Sequence, residues 1–89
     1  MDDAECWYVY LIECSDHSLY TGIARDPQKR LIQHNAGKGA KYTRSRTPVK
    51  LLYQECHSEK GLALKREFAI KQLSRTEKLQ LIECADSNC

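Results

Sequence analysis

The chain has 89 residues, 29% of them charged, and a formal net charge of only +2. That length holds one domain with a modest core, burying about 60% of the surface its unfolded chain exposes, so any activity must sit at a shallow surface site. No apolar stretch approaches the ~20 residues of a membrane span. The acidic opening Met1-Asp2-Asp3-Ala4-Glu5 fits neither a signal nor a transit peptide, so a cytoplasmic protein without membrane association is expected. Cysteines at 6, 14, 56, 84 and 89 form no C-x-x-C pair, which argues against a disulfide framework or a zinc site. Cys14, Cys56 and Cys84 read instead as small core residues in a reducing compartment.

Trp7 to Cys14, rich in aromatic and β-branched residues, reads as a strand. Ser15-Asp16-His17-Ser18 is turn material, and Leu19 to Ile23 returns as the second strand of a hairpin. Asp26-Pro27 opens a helix, with Asp26 capping free N–H groups and Pro27 at the first position, where none is needed. The helix should run to about Ala36, with Gly37 as a left-handed stop. Val49 to Cys56, entered after Pro48, is a third strand. Ser58 is placed to cap a second helix reaching about Leu73, with Leu64, Phe68 and Ala69 giving it a broad buried face together with positions 62, 63, 70 and 73. Ser74-Arg75-Thr76-Glu77 is a capping box for a third helix, with Leu79 and Ile82 packing back. The order β-β-α-β-α-α describes an α+β fold, a small three-stranded mixed sheet flanked by helices. One domain is expected over residues 1–89, with a core of about 7–82 and frayed ends at 1–5 and 85–89.

The near-neutral total conceals segregation. Residues 1–24 carry five acids and no Lys or Arg, whereas residues 25–50 carry eight bases against Asp26 alone. The middle third is therefore the polyanion-facing surface. Its run Gly37-Lys38-Gly39-Ala40-Lys41-Tyr42-Thr43-Arg44-Ser45-Arg46 combines bases, hydroxyls, exposed amides and an aromatic ring, the usual companions of phosphate-backbone binding. Lys38, Lys41, Arg44 and Arg46 are the candidate nucleic-acid contacts.

Two triplets, Tyr8-Val9-Tyr10 and Tyr20-Thr21-Gly22, fall on the two strands of the hairpin. Tyr8 and Tyr10 point to one side of the sheet, and Tyr20 can approach Tyr10 if the register suits. Taken alone, such aromatic pairs are more often packing than chemistry. Arg30 and His34, at i and i+4, share a helix face about 40° wide, with Leu31 and Ile32 marking the buried side beside it. An Arg there can neutralise charge growing on phosphate oxygens, and a His can bond a phenol or a phosphate. Glu67 borders an apolar helix face one turn before Lys71. It is either one half of a surface ion pair worth about 0.3–0.5 kcal/mol or a hard-oxygen ligand for Mg²⁺.

Taken together in this order, these residues resemble the GIY-YIG nucleases, in particular their small stand-alone YhbQ-like, UPF0213-type branch. The resemblance runs from Trp7 to about Ile82. Tyr10 matches the tyrosine of the first triplet, and Tyr20 and Gly22 match the outer residues of the second. Arg30 matches the family arginine, His34 the His-or-Tyr position one turn on, and Glu67 the metal ligand. Tyr8 stands where the first triplet usually has Gly, Thr21 where the second often has Ile or Val, and Ile23 where some members carry Lys. The resemblance implies a metal-dependent endonuclease acting on phosphodiester bonds of DNA, structured or branched, in repair or recombination. Tyr10, Tyr20, Arg30 and His34 would be catalytic, with either tyrosine as general base, and Glu67 would hold one Mg²⁺ or Mn²⁺ ion. DNA is expected ahead of RNA, with targeting left to a partner protein or a junction in the nucleic acid. The alternative is a non-catalytic nucleic-acid-binding module on the same fold.

Overall fold

The computed structural model describes residues 6–86, with side chains as far as Cys84. Strands β1 (Trp7–Glu13) and β2 (Leu19–Ala24) form the hairpin, followed by helix α1 (Pro27–Asn35) and a one-turn helix α2 (Lys41–Arg44). Strand β3 (Lys50–His57) then precedes helices α3 (Lys60–Lys71) and α4 (Arg75–Asp86). Of the ends expected to fray, residues 1–5 and 87–89 lie outside the described residues, while α4 includes 85 and 86. Among the described residues, no helix is long and apolar enough to cross a membrane.

The sheet order is β2-β1-β3 and both ladders are antiparallel, so the sheet is not mixed as expected. The reason is topological. The α1–α2 crossover carries the chain from β2 to a β3 that runs parallel to it, but β1 lies between them, so no parallel neighbours meet. A bulge between Leu11 and Ile12 shifts the β1–β3 register.

The sheet is covered on both faces. Val9 and Leu11 face Ala63 and Ile70 of α3 and Ile82 of α4. Tyr10 and Ile12 face the other way, where they cluster with Cys14 and Val49 and receive Leu31 of α1. Local signals place the helices. Asp26 Oδ1 accepts the Lys29 N–H at 3.2 Å, with Pro27 starting α1, and Gly37 stands at φ 78 after its end. The capping box of α4 is complete, with Ser74 N–H donating to Glu77 Oε1 at 2.8 Å and Glu77 N–H to Ser74 Oγ at 3.1 Å. The Asn35 amide clamps both backbone groups of Val49, its Oδ1 accepting from N–H at 2.7 Å and its Nδ2 donating to C=O at 3.1 Å. This fixes the end of α1 to the entry of β3.

Several apolar positions lie where periodicity did not put them. Glu59, not Ser58, is the N-cap residue of α3, which makes no side-chain cap bond. The buried stripe of α3 runs through Ala63 and Ile70, with Arg66 and Glu67 half-buried between them. Leu62, Leu64 and Phe68 are exposed, Phe68 to 66%. A small Ala63 lets the helix approach the sheet closely. The two charged neighbours stay because they have partners: Arg66 Nε donates to Glu55 Oε2 at 2.7 Å, and Lys71 Nζ lies 3.3 Å from Glu67 Oε2. Likewise Ile32 is exposed, because α1 buries the face carrying His34, and on α4 Leu81 packs inward in place of Leu79. Cys14 is buried as expected, but Cys56 and Cys84 are exposed. Ile70→Ala is expected to lower the unfolding free energy by about 2–4 kcal/mol in urea titrations, while Phe68→Ala changes it by no more than about 0.5 kcal/mol.

Candidate active site

Position by position, the hairpin pairs Tyr10 with Gly22 and Ile12 with Tyr20. Tyr10 and Tyr20 are thus diagonal neighbours on one face. The pairing explains the glycine. A Cβ at Gly22 would lie 2.6 Å from Tyr10 Oη and 2.8 Å from its Cζ, so the Tyr10 ring lies flat over β2 only because no side chain stands there. Laid over in this way, the phenol reaches α1.

Tyr10 Oη lies 3.0 Å from His34 Nε2, and His34 Nδ1 lies 2.8 Å from Thr43 Oγ1, in a wholly buried line. Thr43 donates its hydroxyl proton to the Ala40 carbonyl at 2.9 Å, so its oxygen accepts from Nδ1–H. Nε2 is then the acceptor for the Tyr10 proton. Burial holds the His34 pKa below its usual value, and the Arg30 guanidinium pushes it the same way. The imidazole is therefore neutral. Tyr10 titrates above its ordinary value, chiefly through burial, and the facing Arg30 guanidinium offsets part of that rise. The nearby Tyr20 and Glu67 add smaller upward pushes.

The Arg30/His34 face, which composition alone would leave in solvent, is the buried face of α1. Tyr20 completes the wall, edge-on to the His34 ring with centroids 5.6 Å apart and stacked on Tyr42 at 5.9 Å. Glu67 reaches the same cluster from α3, 18% exposed and close enough for its charge to act on Tyr10. It is one hard carboxylate, and no group of three or more candidate ligands exists among the described residues. That donor set fits an Mg²⁺ or Mn²⁺ ion, which takes one or two carboxylates and fills its other positions with water and phosphate.

The basic run divides. Lys38, Lys41 and Arg44 are exposed on the loop and on α2. Arg46 is engaged internally, its Nε donating to Asp16 Oδ2 at 3.1 Å and its Nη1 to the Tyr42 carbonyl at 2.7 Å, with the guanidinium over the Tyr42 ring. Three contributors in this run were not anticipated from sequence. Thr43 orients His34, Tyr42 backs Tyr20, and a Cβ at Gly39 would overlap the His34 ring. The one signal that Gly39 and Thr43 leave in the sequence is their place in the glycine- and hydroxyl-bearing run that reads as phosphate-facing.

A GIY-YIG catalytic domain model matches residues 6–80, so the chain belongs to this nuclease family. Within it, the chain is 57% identical over 75 residues to a UPF0213 protein of Staphylococcus saprophyticus, covering 84% of this chain and 92% of that one. It is 55% identical over 76 residues to a UPF0213 protein of Haloquadratum walsbyi, covering 85% of each. The solution structure of the UPF0213 protein BH0048 of Bacillus halodurans superposes with a TM-score of 0.57 at 44% identity, covering 88% of this chain and 83% of that one. That of the E. faecalis protein EF2693 gives 0.63 at 36% identity, covering 97% and 92%.

The neutral, buried His34 makes a pH prediction. With its folded pKa depressed, the unfolded state binds the extra proton first, so stability is full above the unfolded value near 6.5 and falls as pH drops below it. Urea midpoints measured between pH 7.5 and 5 should therefore decline for the wild type, and the decline should flatten in His34→Asn.

Proposed function

We propose that this chain is a metal-dependent endonuclease that hydrolyses phosphodiester bonds of DNA from a single domain. What carries the reading is the buried Tyr10–His34–Thr43 chain, a phenol whose proton already points at a neutral imidazole, with the Arg30 charge acting on both groups. A purely structural tyrosine needs only one bond to a backbone group. This one faces a titratable acceptor and a fixed cation.

Glu67 would hold one Mg²⁺ or Mn²⁺ ion, which when bound polarises the scissile phosphate and stabilises the leaving oxygen. Arg30 binds a non-bridging phosphate oxygen and stabilises the charge that grows there. Tyr10 is the general base. It takes the proton of the attacking water on its oxygen as its own proton passes to His34 Nε2, so the phenol stays neutral and the charge appears on the imidazole. The resting site resists that charge, because burial and Arg30 both disfavour the imidazolium. An anionic phosphate docked on Arg30 cancels the guanidinium's field, so substrate binding itself makes His34 a better acceptor. Tyr20, packed against His34 and Tyr42, positions the ring and the water beside it. Lys38, Lys41 and Arg44 hold flanking phosphates, with Arg46 keeping their loop in place. The free thiols of Cys6, Cys14 and Cys56 suit a reducing cytoplasm. Structured or branched DNA in repair or recombination is the proposed substrate, because so small a surface leaves little room for reading sequence.

The test is cleavage of a labelled panel (single strands, duplex, flaps, four-way junctions and a structured RNA) with Mg²⁺ or Mn²⁺. Cutting should vanish with chelator and in Glu67→Ala, and Arg30→Ala should lose about 10²–10³ in rate while keeping most of its binding. Intact salt-sensitive binding without any cutting by the wild type would replace the enzyme with a binding module. In either case log affinity should fall by about 0.9 per duplex phosphate neutralised for each decade of salt.

A further inference from the structure

β2 is an open edge, and around it groups from both layers of the fold meet. A cavity of ≈ 240 Å³ lies there, lined by Leu19, Tyr20, Thr21, Tyr42, Lys71 and Lys78. Its two cations come from different helices, Lys71 from the end of α3 and Lys78 from the start of α4, and no carboxylate lines it. One wall is the stacked pair Tyr20–Tyr42. In the other, the Thr21 hydroxyl is buried with no hydrogen-bond partner. Such a lining matches an occupant that presents an anion and an apolar or aromatic part together.

We propose that this cavity is a second phosphate subsite, in which Lys71 and Lys78 hold the phosphate of the nucleotide next to the scissile one while Tyr42 and Leu19 meet its sugar or base. The assignment of that neighbour as part of a substrate strand rests on the endonuclease reading. Its position supports it. Lys71 lies four residues beyond Glu67 on α3, a rise of about 6 Å, comparable with one nucleotide step along a strand. Tyr20 borders both the cavity and the His34 ring, so the two places are contiguous.

Lys71 has two claimants. In the free protein its ammonium sits 3.3 Å from Glu67 Oε2. A divalent cation on that carboxylate competes with the ammonium, and a phosphate in the cavity offers the ammonium a new partner. Metal and substrate phosphate therefore favour each other's binding through this one side chain.

Two titrations test this without cleavage. A dinucleotide carrying a 5′-phosphate is titrated by calorimetry into metal-free wild type, Lys71→Met, Lys78→Met and Glu67→Gln, and Mn²⁺ alone is titrated by electron paramagnetic resonance. Each lysine substitution should weaken the dinucleotide about tenfold, the loss of one charge-assisted hydrogen bond. Glu67→Gln should tighten it by freeing Lys71, and Lys71→Met should tighten Mn²⁺ by removing its competitor. Lys71 is exposed and Lys78 half-buried, and circular dichroism checks that the variants fold. Dinucleotide affinity unchanged by both lysine substitutions overturns the subsite, even if the protein cuts DNA. Lysine-dependent dinucleotide binding by a protein that never cuts keeps the subsite and overturns the endonuclease.

Discussion

The hydrogen bond between Tyr10 and His34 is the contact on which fold and site both depend. It joins β1 to α1 through a wholly buried pair, and each end has further requirements. Tyr10 needs Gly22 on β2 to lie flat, and His34 needs Gly39 to leave room for its ring and Thr43 on α2 to fix its tautomer. A buried donor or acceptor left unpaired costs about 1–3 kcal/mol, so these segments are constrained together rather than one by one. The same economy explains α2. A single turn has little stability of its own, yet it is held by Thr43 below and by Tyr42 and Arg46 above.

Arg30 gives that pair its direction. A positive charge beside both groups lowers the pKa of each, favouring ionised Tyr10 and disfavouring protonated His34. Without substrate the two effects leave a neutral, locked pair, because burial disfavours either charge. In the proposed reaction a phosphate anion on Arg30 would remove the asymmetry, so the response to substrate would follow from where one guanidinium sits.

The parts of this fold legible in the sequence are those governed by local chemistry. The hairpin, the Asp26-Pro27 start of α1, the Gly37 stop and the Ser74–Glu77 box each depend on a few adjacent residues, and each lies where it was read. Tyr10, Arg30, His34 and Glu67 were also singled out, and the structure brings them together. The side of each helix that would be buried was harder to read. On α3, Leu64 and Phe68 outweigh Ala63 on any hydrophobicity scale, but the close approach selects the small residue, and Glu55 and Lys71 let Arg66 and Glu67 sit beside it. A partner 11 residues away, such as Glu55 for Arg66, leaves no periodic trace. Nor does the insertion of β1 between β2 and β3, which turns an expected mixed sheet antiparallel.

Charge shows the same limit from another side. Counted along the chain, the basic surface is the middle third, yet Arg46 is spent on Asp16 and Tyr42, and Arg30 is drawn into the site. The cations at the cavity come instead from Lys71 and Lys78, in the segment of residues 51–89, where six bases and six acids cancel. Its acids are the reason that neutrality misleads: Glu55 is consumed by Arg66, His57 and Tyr53 beside β3, so it does not cancel lysines on the opposite edge. Glu67 is the exception, and a necessary one. A carboxylate at a half-buried position needs a counter-charge to stay in place. Lys71 supplies it from the same helix, one turn away, where it can be released without moving the backbone.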